Sequence, residues 1–208
     1  LVGSEMCIRD SWCLGMLGTK RREFRNIVGH VEGVKDMSSL ADWTVSQFDP
    51  CLSWDDVAEI RRMWDGKVIL KGILDAEDAK QAVNVGADAI VVSNHGGRQL
   101  DGAASSIAAL PAIVDAVGDK TEVWMDGGIR TGQDILRAVA LGARGTLIGR
   151  AFLYGLGAGG REGVTRVLEI LHKELDLTMA LCGRSKLSEV DDSIPVSYTH
   201  LTLPTRCL

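Results

Sequence analysis

From Lys67 onward the chain alternates short apolar runs with helical stretches, and this restricts the fold more than any other feature. The runs at residues 68–74, 89–93, 122–126 and 145–149 are apolar at consecutive positions rather than at every second one. Parallel strands buried between two layers read this way, because both of their faces meet side chains. Helix punctuation follows the runs. Asp75 is a predicted N-cap with Asp78 at the third helical position, and Thr131 with Asp134 repeats the arrangement after the third run. Gly86, Gly118 and Gly142 are predicted to end three helices in the left-handed conformation. A last helix is predicted over residues 168–181, closed by Gly183.

The alternation is also an internal repeat. Sliding the chain by 56 residues aligns Gly72 with Gly128, Ile73 with Ile129, Asp78 with Asp134, Ala82 with Ala138, Val83 with Val139, Gly86 with Gly142 and Ala87 with Ala143. That spacing equals two βα units of about 28 residues, a usual size in a (β/α)8 barrel. A doubly wound open sheet is the structural rival, but no G-x-G-x-x-G follows any strand, which weakens its dinucleotide-binding version. Only four strands are visible, whereas a closed barrel takes eight and typically about 250 residues. The predicted fold is therefore α/β, the C-terminal half of a (β/α)8 TIM barrel, with strands 5–8 and their helices.

Composition agrees with this and excludes other classes. A length of 208 residues suggests one domain or a piece of a larger one, and 46% hydrophobic with 25% charged residues excludes a disordered chain, a collagen and a disulfide scaffold. Lys and Arg number 23 against 28 Asp and Glu, so the net charge of −5 gives no reason to expect nucleic-acid binding. Cys7, Cys13, Cys51, Cys182 and Cys207 are scattered and odd in number, which reads as reduced thiols in a cytosolic protein. No apolar run reaches the roughly 18 residues of a membrane span, and no signal-peptide layout opens the chain.

The two ends do not share the hydrophobic period of their neighbours. Residues 1–11 and 196–208 resemble translated adapter read-through and are expected to be non-native, leaving Cys7, Cys207 and His200 without meaning. Residues 12–66 are expected to connect from a missing first half, and residues 67–192 to form the half-barrel.

Each predicted strand end carries a polar residue that strand patterning does not explain. Lys71 interrupts the run V-I-L-K-G-I-L, where it either snorkels at the strand end or sits beside developing negative charge. Residues 93–101 read Ser-Asn-His-Gly-Gly-Arg-Gln-Leu-Asp. His95 is a candidate proton acceptor, Arg98 offers a donor fork for a carboxylate, and the two glycines between them allow close approach of a ligand. The third and fourth ends, Asp126-Gly127-Gly128-Ile129-Arg130 and Gly149-Arg150, pair glycine amides with a helix N-terminus and an arginine, a combination suited to anions. As the last two strands of a barrel they would bind phosphate, with Arg130 and Arg150 as the clamp and Asp126 on a ribityl or ribose hydroxyl. The bland alternative is two solvated arginines. Other residues carry structural readings: His172 faces solvent or a helix contact, His30 lies in a polar connection, Trp43, Trp54, Trp64 and Trp124 pack, and Lys20, Arg21, Arg22 and Arg25 form a solvated turn.

Four strings taken together, V-I-L-K-G-I-L, S-N-H-G-G-R-Q-L-D, D-G-G-I-R-T-G-Q-D-I-L and I-G-R-A-F-L-Y-G-L, resemble the FMN-dependent 2-hydroxy-acid dehydrogenase and oxidase family over about residues 18–192. The resemblance implies FMN as cofactor and oxidation of an L-2-hydroxy acid, L-lactate or a near relative, to the 2-oxo acid. His95 would be the proton acceptor, Arg98 the holder of the substrate carboxylate and Lys71 the cation at the flavin N1–C2 carbonyl edge. Ser93 would lie against the ring, and Asp126, Gly127, Gly128, Arg130, Gly149 and Arg150 would cradle the ribityl chain and phosphate. No metal ligands are assigned. The implied partners are a small 2-hydroxy acid and an electron acceptor (quinone, cytochrome or oxygen), within a homo-oligomer, commonly a tetramer. The location would be cytoplasmic, with peripheral contact at the inner face of the cell membrane as the alternative, and residues 37–56 fall where the family has its variable loop. Because the first half of the site is missing, the 208-residue chain alone is expected to bind FMN weakly and turn over little. Rival readings are another FMN or phosphate-binding barrel, such as an isomerase or an inosinate-dehydrogenase-like enzyme, or a non-catalytic half-barrel.

Overall fold

The computed structural model describes residues 13–15, 17–18, 27, 30–34 and 37–194. The expectations for residues 1–11 and 196–208, including Cys7, Cys207 and His200, and for the basic turn at Lys20, Arg21, Arg22 and Arg25 lie outside these residues. The chain divides into two compact units, Leu1–Ser53 and Trp54–Leu208. In the first, helix α1 (Met37–Ser46) buries Leu40, and the Thr44 hydroxyl donates to the Leu40 carbonyl at 2.7 Å. The stretch 37–56 is largely helical, containing α1 and the start of the next helix.

The second unit runs α2 (Trp54–Met63), β1 (Ile69–Ile73), α3 (Ala76–Asn84), β2 (Ala89–Val92), α4 (Ser106–Val117), β3 (Glu122–Asp126), α5 (Gly132–Ala140), β4 (Gly145–Leu147) and α6 (Arg150–Leu181). All neighbouring strands pair in parallel, in the order β1-β2-β3-β4. A doubly wound sheet reverses its order at a switch point, whereas a barrel adds strands in sequence, so the order sets that rival aside.

Helix starts and stops follow side-chain chemistry. The Asp75 carboxylate accepts from the Glu77 N–H at 2.8 Å, and Thr131 with Asp134 forms a reciprocal capping box. Gly86 and Gly142 follow their helices with φ of 84° and 96°, as expected. Gly118 does not: its φ is −63°, right-handed, and what requires glycine there is space, since a Cβ would lie 2.7 Å from the Val114 carbonyl oxygen.

Burial is uneven across the sheet. Every residue of β2 is buried, while β1 and β4 are largely exposed or half-buried, so the expectation that all four runs are covered on both faces holds for β2 alone. The reason is topological, because β1 and β4 are the edges of a four-stranded sheet. Strand β3 alternates, burying Val123 and Met125. These side chains join Ile90 and Val92 of β2 and Ile107, Leu110, Ile113 and Val117 of α4 in the main core. Each such aliphatic side chain, fully buried, stabilises the fold by about 1.5–3 kcal/mol.

The last helix departs furthest from expectation. It begins at Arg150 rather than at residue 168, and Gly159 and Gly160 leave helical geometry, with φ of 58° at Gly160. The two limbs fold back so that Gly155 meets Gly163, where a Cβ on either would overlap the other's backbone. Residues 155–160 carry the G-x-G-x-x-G spacing, but at a helix–helix turn and not at a strand–helix turn. Gly183 closes α6 at φ 68°, and the Arg184 N–H returns to the Met179 carbonyl at 2.9 Å.

Trp54 packs on the core and the Trp124 ring lies over Gly145, as expected of packing residues. Trp64 instead is exposed, its ring lying against Gly66 and its N–H donating to the Lys67 carbonyl. His172 faces solvent. Among the described residues Cys13, Cys51 and Cys182 are free thiols, and no helix is long and apolar enough to cross a membrane.

Candidate active site

The carboxyl ends of the four strands open on one cleft of about 510 Å3, within the roughly 300–1,000 Å3 of ligand pockets. Lys71, His95, Arg98, Asp126, Gly127, Gly128, Arg130, Gly149 and Arg150 all line it. Ser93, the remaining residue singled out in the sequence, is buried behind the wall and joined to it by hydrogen bonds.

Those bonds organise the floor. The Lys71 ammonium donates to Ser93 Oγ at 2.7 Å and pairs with Asp126 Oδ2 at 2.8 Å, tying the ends of β1, β2 and β3 together. The same Ser93 oxygen accepts from the His95 N–H at 3.1 Å. A lysine near this strand end is therefore tolerable because a carboxylate and a hydroxyl meet it. Asp126 Oδ1 is buried with no hydrogen-bond partner, in a residue that lines the cleft.

The His95 loop is tightly specified. His95, Gly96 and Gly97 have φ of 55°, 68° and 70°, and His95 is the one described non-glycine residue at positive φ. Such a conformation in a histidine marks a constrained position. Asn94, buried, holds the turn by accepting from the Gly96 N–H at 3.0 Å and donating to the Ala104 carbonyl at 3.3 Å.

The glycine loops divide differently from expectation. The start of α5 is not open to an external anion, since the Asp134 carboxylate takes the Arg130 and Thr131 N–H groups at 3.1 and 3.0 Å, and Glu174 takes that of Gly132 at 2.9 Å. The cleft is lined by Gly127, Gly128, Ile129 and Arg130 of one loop and by Gly149, Arg150 and Ala151 at the start of α6. The start of α6 thus lines the cleft, whereas the start of α5 is taken up by the chain's own carboxylates. Arg130 is exposed, whereas Arg150 reaches across to the His95 loop, its Nη2 lying 3.1 Å from where a Gly96 Cβ would stand.

Four cations line the cleft (Lys71, Arg98, Arg130 and Arg150) against Asp126 as the one carboxylate among the lining residues, on a chain whose net charge is −5. That concentration of positive charge favours ligands carrying phosphate and carboxylate. A flavin mononucleotide fits the donor set, with arginines and glycine amides for a phosphate and an unpartnered buried carboxylate oxygen for a sugar-chain hydroxyl. Tyr154, Val167, Ile170 and Leu171 of α6 complete one apolar wall, placed there by a helical hairpin that no local sequence pattern announces. Asn94 and Ser106 were missed too, although an Asn before His-Gly-Gly is a turn signal.

The sequence profile of FMN-dependent dehydrogenases matches residues 3–196. The chain belongs to the FMN-dependent dehydrogenase family. L-lactate dehydrogenase from Caulobacter vibrioides is 47% identical over 184 residues, covering 88% of this chain and 48% of the relative. Among solved structures, the monotopic membrane protein (S)-mandelate dehydrogenase superposes with a TM-score of 0.74 at 38% identity, over 79% of this chain and 43% of that one. A mandelate oxidase variant with a monooxide FMN adduct superposes with a TM-score of 0.65 at 48% identity, over 67% of this chain and 44% of that one. The chain spans about half the length of the curated relatives it matches, and its α/β fold is part of a (β/α)8 barrel.

Proposed function

We propose that the protein oxidises an L-2-hydroxy acid, L-lactate in the first instance, to the corresponding 2-oxo acid with FMN. The observation that carries this reading is the convergence of His95 and Arg98 with Lys71, Asp126 and the two glycine loops on one cleft. Arg98 binds the substrate carboxylate through its donor fork, which orients the 2-hydroxyl toward the His95 ring. His95 accepts a proton from the substrate as the α C–H bond breaks. Bound FMN would supply the acceptor for the two electrons and for the second hydrogen of the substrate. Gly149, Arg150 and Arg130 hold its phosphate, Gly127 and Gly128 allow its close approach, and Asp126 accepts from a ribityl hydroxyl. Lys71 presents its ammonium where negative charge develops, and Ser93 keeps that ammonium and the His95 backbone in register.

Residues 67–192 are assigned to the barrel and residues 12–66 to the segment leading into it. A barrel closes with eight strands, and β1 and β4 are open edges among the described residues. The 208-residue chain alone is therefore assigned weak FMN binding and little turnover. The electron acceptor is a quinone, a cytochrome or oxygen, the enzyme a homo-oligomer, and the location cytoplasmic, with peripheral contact at the inner face of the cell membrane as the alternative. Similarity to a monotopic membrane dehydrogenase supports that contact, and liposome flotation tests it.

The test of the activity is an anaerobic FMN titration of the intact gene product, followed by L-lactate. Bleaching of the flavin absorbance that is lost in His95→Gln is expected. FMN binding without bleaching by lactate or any other 2-hydroxy acid overturns the reading.

A further inference from the structure

We propose that Asn94 and Ser106 are positioning residues that lock the His95 loop to the Gly127–Gly128 turn, so that proton acceptor and cofactor cradle hold one fixed relation. This rests on the function proposed above and adds the device that aligns its two halves.

Three observations carry it. First, the buried Ser106 opens α4 but turns its hydroxyl away from its own helix, accepting from the Asn94 N–H at 3.2 Å. Ser105, the N-cap, makes no side-chain cap bond, so α4 gives up a cap while its first residue serves the end of β2. Second, Asn94 Oδ1 accepts from the Gly96 N–H, which bends the chain through three successive left-handed residues and fixes where His95 leaves the wall. Third, the Gly127 backbone sits against these same two side chains. A Cβ there would stand 3.1 Å from Ser106 Oγ and 3.2 Å from Asn94 Oδ1, at a φ of 87°.

The three pieces come from β2, α4 and β3, and Asn94 and Ser106 lie against both loops. A packed contact of this kind transmits displacement, because interiors are dense and yield little. Removing the Ser106 hydroxyl leaves the buried Asn94 N–H without its acceptor and opens space beside Gly127, so both loops lose their reference at once. A purely structural serine would lower stability without moving the two functional quantities together.

The test compares Ser106→Ala with the FMN-loaded parent, and Ser105→Ala serves as a control. FMN affinity is read by flavin fluorescence, His95 by its ring resonance in a pH-resolved NMR titration, and turnover by the split between kcat and KM for L-lactate. Ser106→Ala is expected to weaken FMN by about tenfold and to shift the His95 titration. It should also lower kcat by about tenfold or more with KM little changed, while Ser105→Ala leaves all three at parent values. If Ser106→Ala does not fold, Ser106→Cys leaves no empty space, puts a somewhat larger and weaker acceptor there, and is read in the same way. Wild-type FMN affinity and an unmoved His95 titration in a variant of reduced stability overturn the proposal, as does movement of only one of the two. If the parent binds FMN but oxidises no 2-hydroxy acid, the functional reading fails, while joint movement of FMN affinity and the His95 titration still supports the lock.

Discussion

The Lys71 ammonium and the Asp126 carboxylate meet at 2.8 Å although their strands are not neighbours, β2 lying between them. Lys71 occupies one oxygen of Asp126, and the other is buried without a partner. On the function proposed above, this carboxylate at the cleft wall accepts from a ligand hydroxyl. Hydrogen bonds to charged groups contribute about 1.5–3 kcal/mol. Asp126→Ala is therefore expected to weaken FMN by about tenfold to a hundredfold in fluorescence titrations of the intact protein. Unchanged affinity would remove Asp126 from the cradle.

His95 and Arg98 separate by their kinetic effects. Loss of a positioned general base costs about 10²–10⁴ in rate, so His95→Gln should lower kcat strongly with FMN still bound. Arg98→Met removes a charge-assisted carboxylate contact and should raise KM by about tenfold or more. Steady-state kinetics on L-lactate distinguish the two, and a KM effect at His95 with no kcat effect would reverse the roles.

How much of this was legible in the sequence depended on how local the signal was. The 56-residue repeat places Ala76–Asn84 on Gly132–Ala140, and these are the bounds of α3 and α5. The strands do not follow the same shift. β1 ends at Ile73 and β3 at Asp126, three residues short of the shifted position, and those three residues lengthen the loop that holds Gly127 and Gly128. The repeat thus fails where the cleft is built. The capping box of Thr131 and Asp134 was readable, yet its consequence was not. Occupation of the α5 N-terminus also takes Glu174, 42 residues downstream of Gly132, and no local pattern announces that contact. Gly155 and Gly163 were likewise silent, because a close helix crossing looks in sequence like a glycine-rich stretch.

At the other end of the strands, Lys67 Nζ lies 2.6 Å from Asp88 Oδ1, and the Val68 N–H donates to Oδ2 at 2.9 Å. The Lys67 hydrogen bond, then the Val68 amide, hold the Asp88 carboxyl below its ordinary value of 3.8. The folded state therefore binds its proton less readily than the unfolded chain. The stabilisation is present above pH 3.8 and is lost as pH falls through the lower folded value. Asp88→Asn should be less stable than the parent at neutral pH in urea titrations, with the gap closing as the solution is acidified below that value. A gap independent of pH would show that the ion pair contributes nothing through its charge.

The α6 hairpin sets the position of Arg150, because Arg150 opens the limb that Gly155 packs onto Gly163. Gly159 lies at the turn with open space around it and a φ of −146°. Alanine should therefore have opposite consequences four residues apart. At Gly163 a methyl group meets the Gly155 backbone and must push the limbs apart, an overpacking cost of about 1–3 kcal/mol. For a unit of this size that corresponds to a Tm lowered by about 2–12 °C. At Gly159 the same substitution should stay within about 0.5 kcal/mol. Because the displaced limb carries Arg150 and the amides at the start of α6, Gly163→Ala should also weaken FMN more than it weakens riboflavin, which lacks the phosphate. Thermal unfolding together with parallel flavin titrations reads both effects. Equal losses for the two flavins would place the hairpin in the scaffold alone, with no hold on the phosphate.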